Sequence, residues 1–215
     1  IDTNKVYAEK FGIPQSTAIT CVKPSGTVSQ LCDTASGIHP RYSNYYIRTV
    51  RGDTNDPLTQ FMKDQGVPSE PCVYKPSDTV VFSFPFQSPK TSTTVDTMTA
   101  IDQLELWLTY QRHWCEHKPS CSVYVRDHEW IEVGAFVYKH FDEMSGVSFF
   151  PVDDVIYQQP PYSECTKKEY EEAIKKAPSR IDWSLLKDFE KEDTTSSSQT
   201  FACSGDSCEV VDIGA

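Results

Sequence analysis

Short runs of β-forming residues alternate with amphipathic helical patterns along most of this chain, and that alternation limits the fold more than any other feature. Residues 79–86, 121–125 and 146–151 each read as a short, largely buried strand. A long helical pattern spans 95–116, with Ile101, Leu104, Leu106, Trp107, Tyr110 and Trp114 on its apolar face and Thr93 or Thr94 as its cap. A second spans 127–140, with Trp130, Ile131, Val133, Phe136 and Val137 facing inward. Shorter helices are predicted at 3–11 and 59–65, a strand at 18–22, and one or two acidic helices at 165–192, while 42–50 is a run of aromatic and β-branched residues. This is the α/β pattern, for which parallel pairing is the default. The strands are too few to close a barrel alone.

Length and charge narrow the function classes. The 215 residues can bury one substantial core or two small ones. No run approaches the apolar length of a membrane-spanning helix. A net charge of −11 argues against a broad nucleic-acid-binding face. The acid gathers after Asp142, whereas Lys23, Arg41, Arg48 and Arg51 make the first fifty residues the place for an anionic ligand. A chain that opens on Ile1, with Val6, Tyr7 and Phe11 already in helical register and no apolar leader, reads as a processed or partial piece of a cytoplasmic protein. In a reducing compartment most of its eight cysteines are expected to be free thiols, with Cys21 and Cys32 packed as small hydrophobes. His113, Cys115, His117 and Cys121 invite a metal reading. Cys115 would point away from the two histidines on a helix, however, and a helix end decorated with His and Lys is the better account.

Two segments carry chemistry. In Lys23-Pro24-Ser25-Gly26-Thr27-Val28-Ser29 a predicted strand turns through a Ser/Gly/Thr loop into a helix start, presenting free N–H groups and hydroxyls to an anion. Gly26 would let the backbone approach a ligand or take positive φ. The spacing is not that of a P-loop, and an ordinary capped helix start would look the same. At the other end, Cys203 and Cys208 stand four residues apart after a Ser/Thr-rich stretch at 194–200. Such a pair suits a mobile dithiol; the spacing alone leaves a structural disulfide, half a zinc site or coincidence open.

Taken in order, these and further motifs resemble the adenosylcobalamin-dependent (class II) ribonucleotide reductases, in particular the monomeric ribonucleoside-triphosphate reductases. The matching pieces begin with residues 22–29, then Ser36-Gly37-Ile38-His39-Pro40 with Tyr45-Tyr46-Ile47-Arg48. Residues 122–130, Ser145-Gly146-Val147-Ser148-Phe149, Pro161-Tyr162 and Ile181-Asp182-Trp183-Ser184 follow, and the terminal cysteine pair closes the set.

The resemblance implies that residues 1–163 are the C-terminal part of a ten-stranded α/β barrel, that 164–192 form an acidic helical segment, and that 193–215 are a flexible redox-active tail. It implies that Ser25, Gly26, Thr27, Val28 and Ser29 grip the phosphates of a ribonucleoside triphosphate, with Lys23, His39 and Arg48 near substrate or cofactor. Cys203 and Cys208 would reduce an active-site disulfide and be reset by thioredoxin. The radical cysteine, the catalytic carboxylate and the directly oxidised cysteines would belong to the upstream remainder of the protein, which with this portion would bind adenosylcobalamin. Thr49 stands where a second arginine is expected. A stand-alone thiol-disulfide or phosphate-binding module, and a reductase of another radical class, remain as alternatives.

Overall fold

The computed structural model describes residues 1–26, 28–152, 158–191, 202–204 and 207–209. Seven α-helices occur among them: α1 Asp2–Phe11, α2 Val28–Leu31, α3 Pro57–Asp64, α4 Ala100–His113, α5 Trp130–His140, α6 Lys167–Lys176 and α7 Leu186–Phe189. The strands are β1 Tyr45–Asp53, β2 Ser69–Pro71, β3 Thr79–Gln87, β4 Ser122–Val125, β5 Ser148–Pro151, β6 Tyr162–Glu164, β7 Ala202–Ser204 and β8 Ser207–Glu209. They divide between two compact units, one of residues 1–41 with 92–155 and the other of 42–91 with 156–215.

In the first unit, β4 and β5 pair in parallel, as the alternation predicts. Their connection contains α5, which at 11 residues is about 16 Å long, enough to carry the chain back along a four-residue strand of about 13 Å. Ala100 and Leu104 of α4, Val123 and Val125 of β4 and Val133 of α5 form the core. Two polar side chains fix α4. The Gln103 amide donates to Tyr124 O and accepts from Tyr124 N–H at 3.2 and 3.1 Å, and the Trp107 indole donates to Pro119 O at 2.7 Å.

The second unit departs from the expected parallel pairing. Its sheet runs in the order β2-β3-β1-β6 and every pair in it is antiparallel. After β1 the chain turns at once, with Asp56 capping α3, and after β2 the strand β3 runs back beside β1. Pro85 is tolerated in β3 because β2 pairs only as far as Phe82. Tyr46 stacks on Phe86 at 5.5 Å, and the buried Phe61 of α3 meets Trp183 and Phe189 at 5.4 and 5.6 Å.

Several expectations are corrected. Residues 18–22 make no strand; Val22 forms one bridge to Pro119, whose missing N–H cannot extend a ladder. Cys21 and Cys32 are exposed rather than packed. The long helix starts at Ala100, capped by Thr99 in a capping box with Asp102, because Met98 is extended; Thr94 caps only a 3-10 turn at Val95–Thr97. On α5, Val133 is buried but Ile131 is 88% exposed, since it lies on the face away from β4, and Trp130 is also exposed. Val6, Tyr7 and Phe11 of α1 are exposed as well, as are Tyr110 and Trp114.

One ion pair gives the first unit a pH signature. Arg112 donates to both oxygens of Glu143 at 2.6 and 2.7 Å, and His140 Nδ1 stands 3.0 Å from the same carboxylate. The arginine first, then the histidine, hold the Glu143 carboxyl at about 2, below its ordinary 4.5. A carboxyl depressed on folding contributes stability that is complete above the unfolded value and lost as pH falls through the folded one. Glu143→Gln should therefore narrow the gap between wild type and variant melting temperatures as pH is lowered from about 4.5 toward about 2. A gap that stays constant would show that the pair is uncoupled from folding.

Candidate functional site

The 23–29 segment is built by bonds among small side chains. Ser25 Oγ accepts the Ser29 N–H at 2.9 Å, fixing the turn into α2. The Ser25 carbonyl accepts from two hydroxyls, Ser29 Oγ at 3.0 Å and Ser36 Oγ at 2.7 Å. Ser29 is buried, and its hydroxyl donates to the Ser25 carbonyl and braces the loop. Gly26 does not take positive φ, and a Cβ placed on it would meet nothing within 4 Å; the loop is open to solvent there. Lys23 and Val28 are exposed at its two ends. Thr27 lies outside the described residues.

A second loop backs the first. Gly37 has φ +58°, and a Cβ there would stand 3.4 Å from Lys23 O and from Pro24 Cα. The close approach and the left-handed backbone both require glycine. His39 completes the support. Its Nε2 accepts the Ser122 N–H at 2.9 Å, so the proton sits on Nδ1, which donates to Ser36 O at 2.7 Å. One imidazole thereby ties the Ser36 loop, and through it Ser25, to the first residue of β4. Both its nitrogens are committed, and it acts as a positioning residue. Arg41, buried behind this loop, donates to the Asp33 carbonyl and carboxylate, each at 2.5 Å.

Arg48 lies in the other unit, on β1, where its guanidinium stacks over and bonds Tyr162 of β6. Asp53 and Asp56 cap local turns, accepting the N–H groups of Asn55 and Leu58. Arg51 donates to Gln159 O at 3.0 Å and lies beside the buried Cys72 sulfur. Burial opposes the Cys72 thiolate, yet the Lys75 and Tyr74 N–H groups and Arg51 together hold its pKa below the usual thiol value. Thr49, at the position where an arginine was expected, donates to Pro160 O at 2.7 Å.

Cys203 and Cys208 are register partners at the centre of the antiparallel β7–β8 hairpin. Residues 192–201, 205–206 and 210–215, and the side chains of the hairpin, lie outside the description. The signal for this hairpin was in the sequence: Gly205-Asp206 between two three-residue runs. Among the described residues no three His, Cys, Asp or Glu converge on a metal site.

No family model matches the chain. The curated adenosylcobalamin-dependent ribonucleoside-triphosphate reductase of Euglena gracilis is 31% identical over 203 residues, 94% of this chain and 28% of that protein. The chain carries a segment of that reductase family. The probable reductase of Dictyostelium discoideum is 31% identical over 180 residues, and that of Lactobacillus acidophilus 28% over 176. These matches cover 80% of the chain in each case, and 23% and 24% of the relatives. The chain thus spans about a quarter of the length of the reductases it matches. A crystal structure of a B-12 dependent (class II) ribonucleotide reductase shares the fold with a TM-score of 0.68 over 88% of this chain and 27% of that one, at 22% identity.

The braces predict selective sensitivity. His39→Ala takes the acceptor from the Ser122 N–H and one of two donors from Ser36 O, and should cost about 1–3 kcal/mol, or about 2–4 °C in melting temperature for each kcal/mol. Gly37→Ala should also destabilise, by about 1 kcal/mol or more. Thermal melts indistinguishable from wild type for both variants would refute the bracing role.

Proposed function

We propose that this chain is the portion of an adenosylcobalamin-dependent ribonucleoside-triphosphate reductase that supplies the substrate-phosphate loop and the shuttle dithiol. The observation that carries the reading is the 31% identity to such a reductase along 203 of 215 residues. In the complete, cytoplasmic enzyme, residues 1–163 would belong to a ten-stranded barrel, 164–192 to an acidic helical segment and 193–215 to the redox tail. Adenosylcobalamin, bound by the complete enzyme, supplies the radical that a cysteine outside this chain carries as a thiyl.

The residues of this chain do two things. The 25–29 loop receives the substrate phosphates over Gly26, where space is open, with Lys23 at its edge to balance charge. Cys203 and Cys208 restore the active site after turnover. One thiolate attacks the active-site disulfide, the second displaces it, and the active-site dithiol is regenerated as a Cys203–Cys208 disulfide forms. Thioredoxin's dithiol then reduces that bond. The paired register supports the closing step, because directly opposed antiparallel residues have Cα atoms about 4.5–5.5 Å apart, inside the range a disulfide spans.

The reductase assembled from this chain and its upstream portion tests the reading. CTP reduction should require adenosylcobalamin. The Cys203→Ser/Cys208→Ser double variant should lose about tenfold or more of the thioredoxin-driven rate while keeping the dithiothreitol-driven rate. Gly26→Val should leave the melting temperature unchanged yet raise KM for CTP. Activity without the cofactor would overturn the class, and thioredoxin-driven turnover in the double variant equal to wild type would overturn the shuttle.

A further inference from the structure

One glutamine joins the two outer sides of the sheet in the second unit. Residues 159–161 run into β6 along the edge of β1. There the Thr49 N–H and hydroxyl donate to Pro161 O and Pro160 O at 3.1 and 2.7 Å, and Arg51 donates to Gln159 O at 3.0 Å. β2 lies at the opposite end of the sheet, beyond β3. The Gln159 side chain nevertheless reaches it. Its Nε2 donates to Pro71 O at 2.9 Å and to Glu70 Oε1 at 2.7 Å, and its Oε1 accepts the Val73 N–H at 2.9 Å. Pro71 and Val73 flank Cys72, whose own N–H pairs with Thr79 O of β3, so the two bonded groups lie on the side of the strand turned away from β3. A residue of a parallel neighbouring strand would donate and accept at these same two groups. One side-chain amide thus stands where a strand would add. Gln159 holds φ +53° in doing so, a left-handed backbone that residues other than glycine rarely adopt and that persists where the surroundings over-determine it. In the first unit Gln103 treats β4 in a similar way, with its amide on the N–H and carbonyl of Tyr124.

We propose that Gln159 is an edge cap that denies β2 to a second copy of this chain. The edge is self-complementary. With two β2 strands antiparallel about a two-fold axis at Cys72, the Val73 N–H of each copy would donate to the Pro71 carbonyl of the other. That is the alternation of a regular antiparallel ladder, and it does not call on the N–H that proline lacks. Ser69, Glu70 and Pro71 are exposed, so another strand can reach them. Val73 and Tyr74, 52% and 56% exposed, would be covered by the added strand. An exposed edge of this kind is a template for pairing unless its groups are engaged. The tethered amide engages them within the molecule and outcompetes a second copy in dilute solution. The inference does not rest on the reductase reading.

Exchange of the Val73 N–H, followed by nitrogen-15 NMR on the full chain with sedimentation velocity on the same samples, tests the cap. In wild type Val73 should be protected at every concentration. In dilute Gln159→Ala that protection should fall by about tenfold or more, and it should return in concentrated samples as dimers form. Gln159→Glu sets a second carboxylate beside Glu70, so it should lose the protection and not regain it on concentration. Rapid Val73 exchange in dilute wild type would overturn the cap, whether or not the variants fold. Val73 exchange in Gln159→Ala that ignores concentration, or dimers that leave Val73 unprotected, would overturn the second copy as the strand it excludes.

Discussion

The two hydrogen bonds of His39 organise the first unit. Its Nδ1–H to Ser36 O and its Nε2 from Ser122 N–H join a turn-rich loop to a parallel strand pair that is well packed. Everything proposed for the 25–29 segment depends on this joint, because Ser36 passes it on to the Ser25 carbonyl. A loop of small residues has little apolar surface with which to hold a shape. Here the shape comes from hydroxyl-to-carbonyl bonds, a close-packed glycine at residue 37 and one fixed imidazole.

Much of the architecture was legible because hydrophobic period and element length agree. The β4–α5–β5 stretch has a strand short enough, and a helix long enough, for the parallel pairing that alternation predicts. The β1–α3–β3 stretch has the same alternation, yet a further strand, β2, lies in its connection and its sheet is antiparallel. Strands of three residues, such as Ser69–Pro71 and Tyr162–Glu164, offer no period to read and were missed. The helix boundary at 99 was misplaced because several threonines precede it, and only the extended Met98 separates the 3-10 turn from α4.

The candidate site was legible as a segment but not in its internal roles. The motif pointed to Gly26 as the glycine with an unusual backbone, and that need falls on Gly37 instead, which a distant contact with residues 22–24 imposes. Ser29 also braces the loop through Ser25, and His39 supports it through Ser36 and the distant Ser122. The Ser122 bond is information that local spacing does not carry.

The tautomer of His39 is the most direct test of this account. Long-range proton–nitrogen NMR on the uniformly nitrogen-15-labelled chain would report which ring nitrogen carries the proton. The account predicts a protonated Nδ1 and a bare Nε2 that accepts the Ser122 N–H. A proton on Nε2 would set two N–H groups against each other at Ser122 and contradict the joint on which the loop is built.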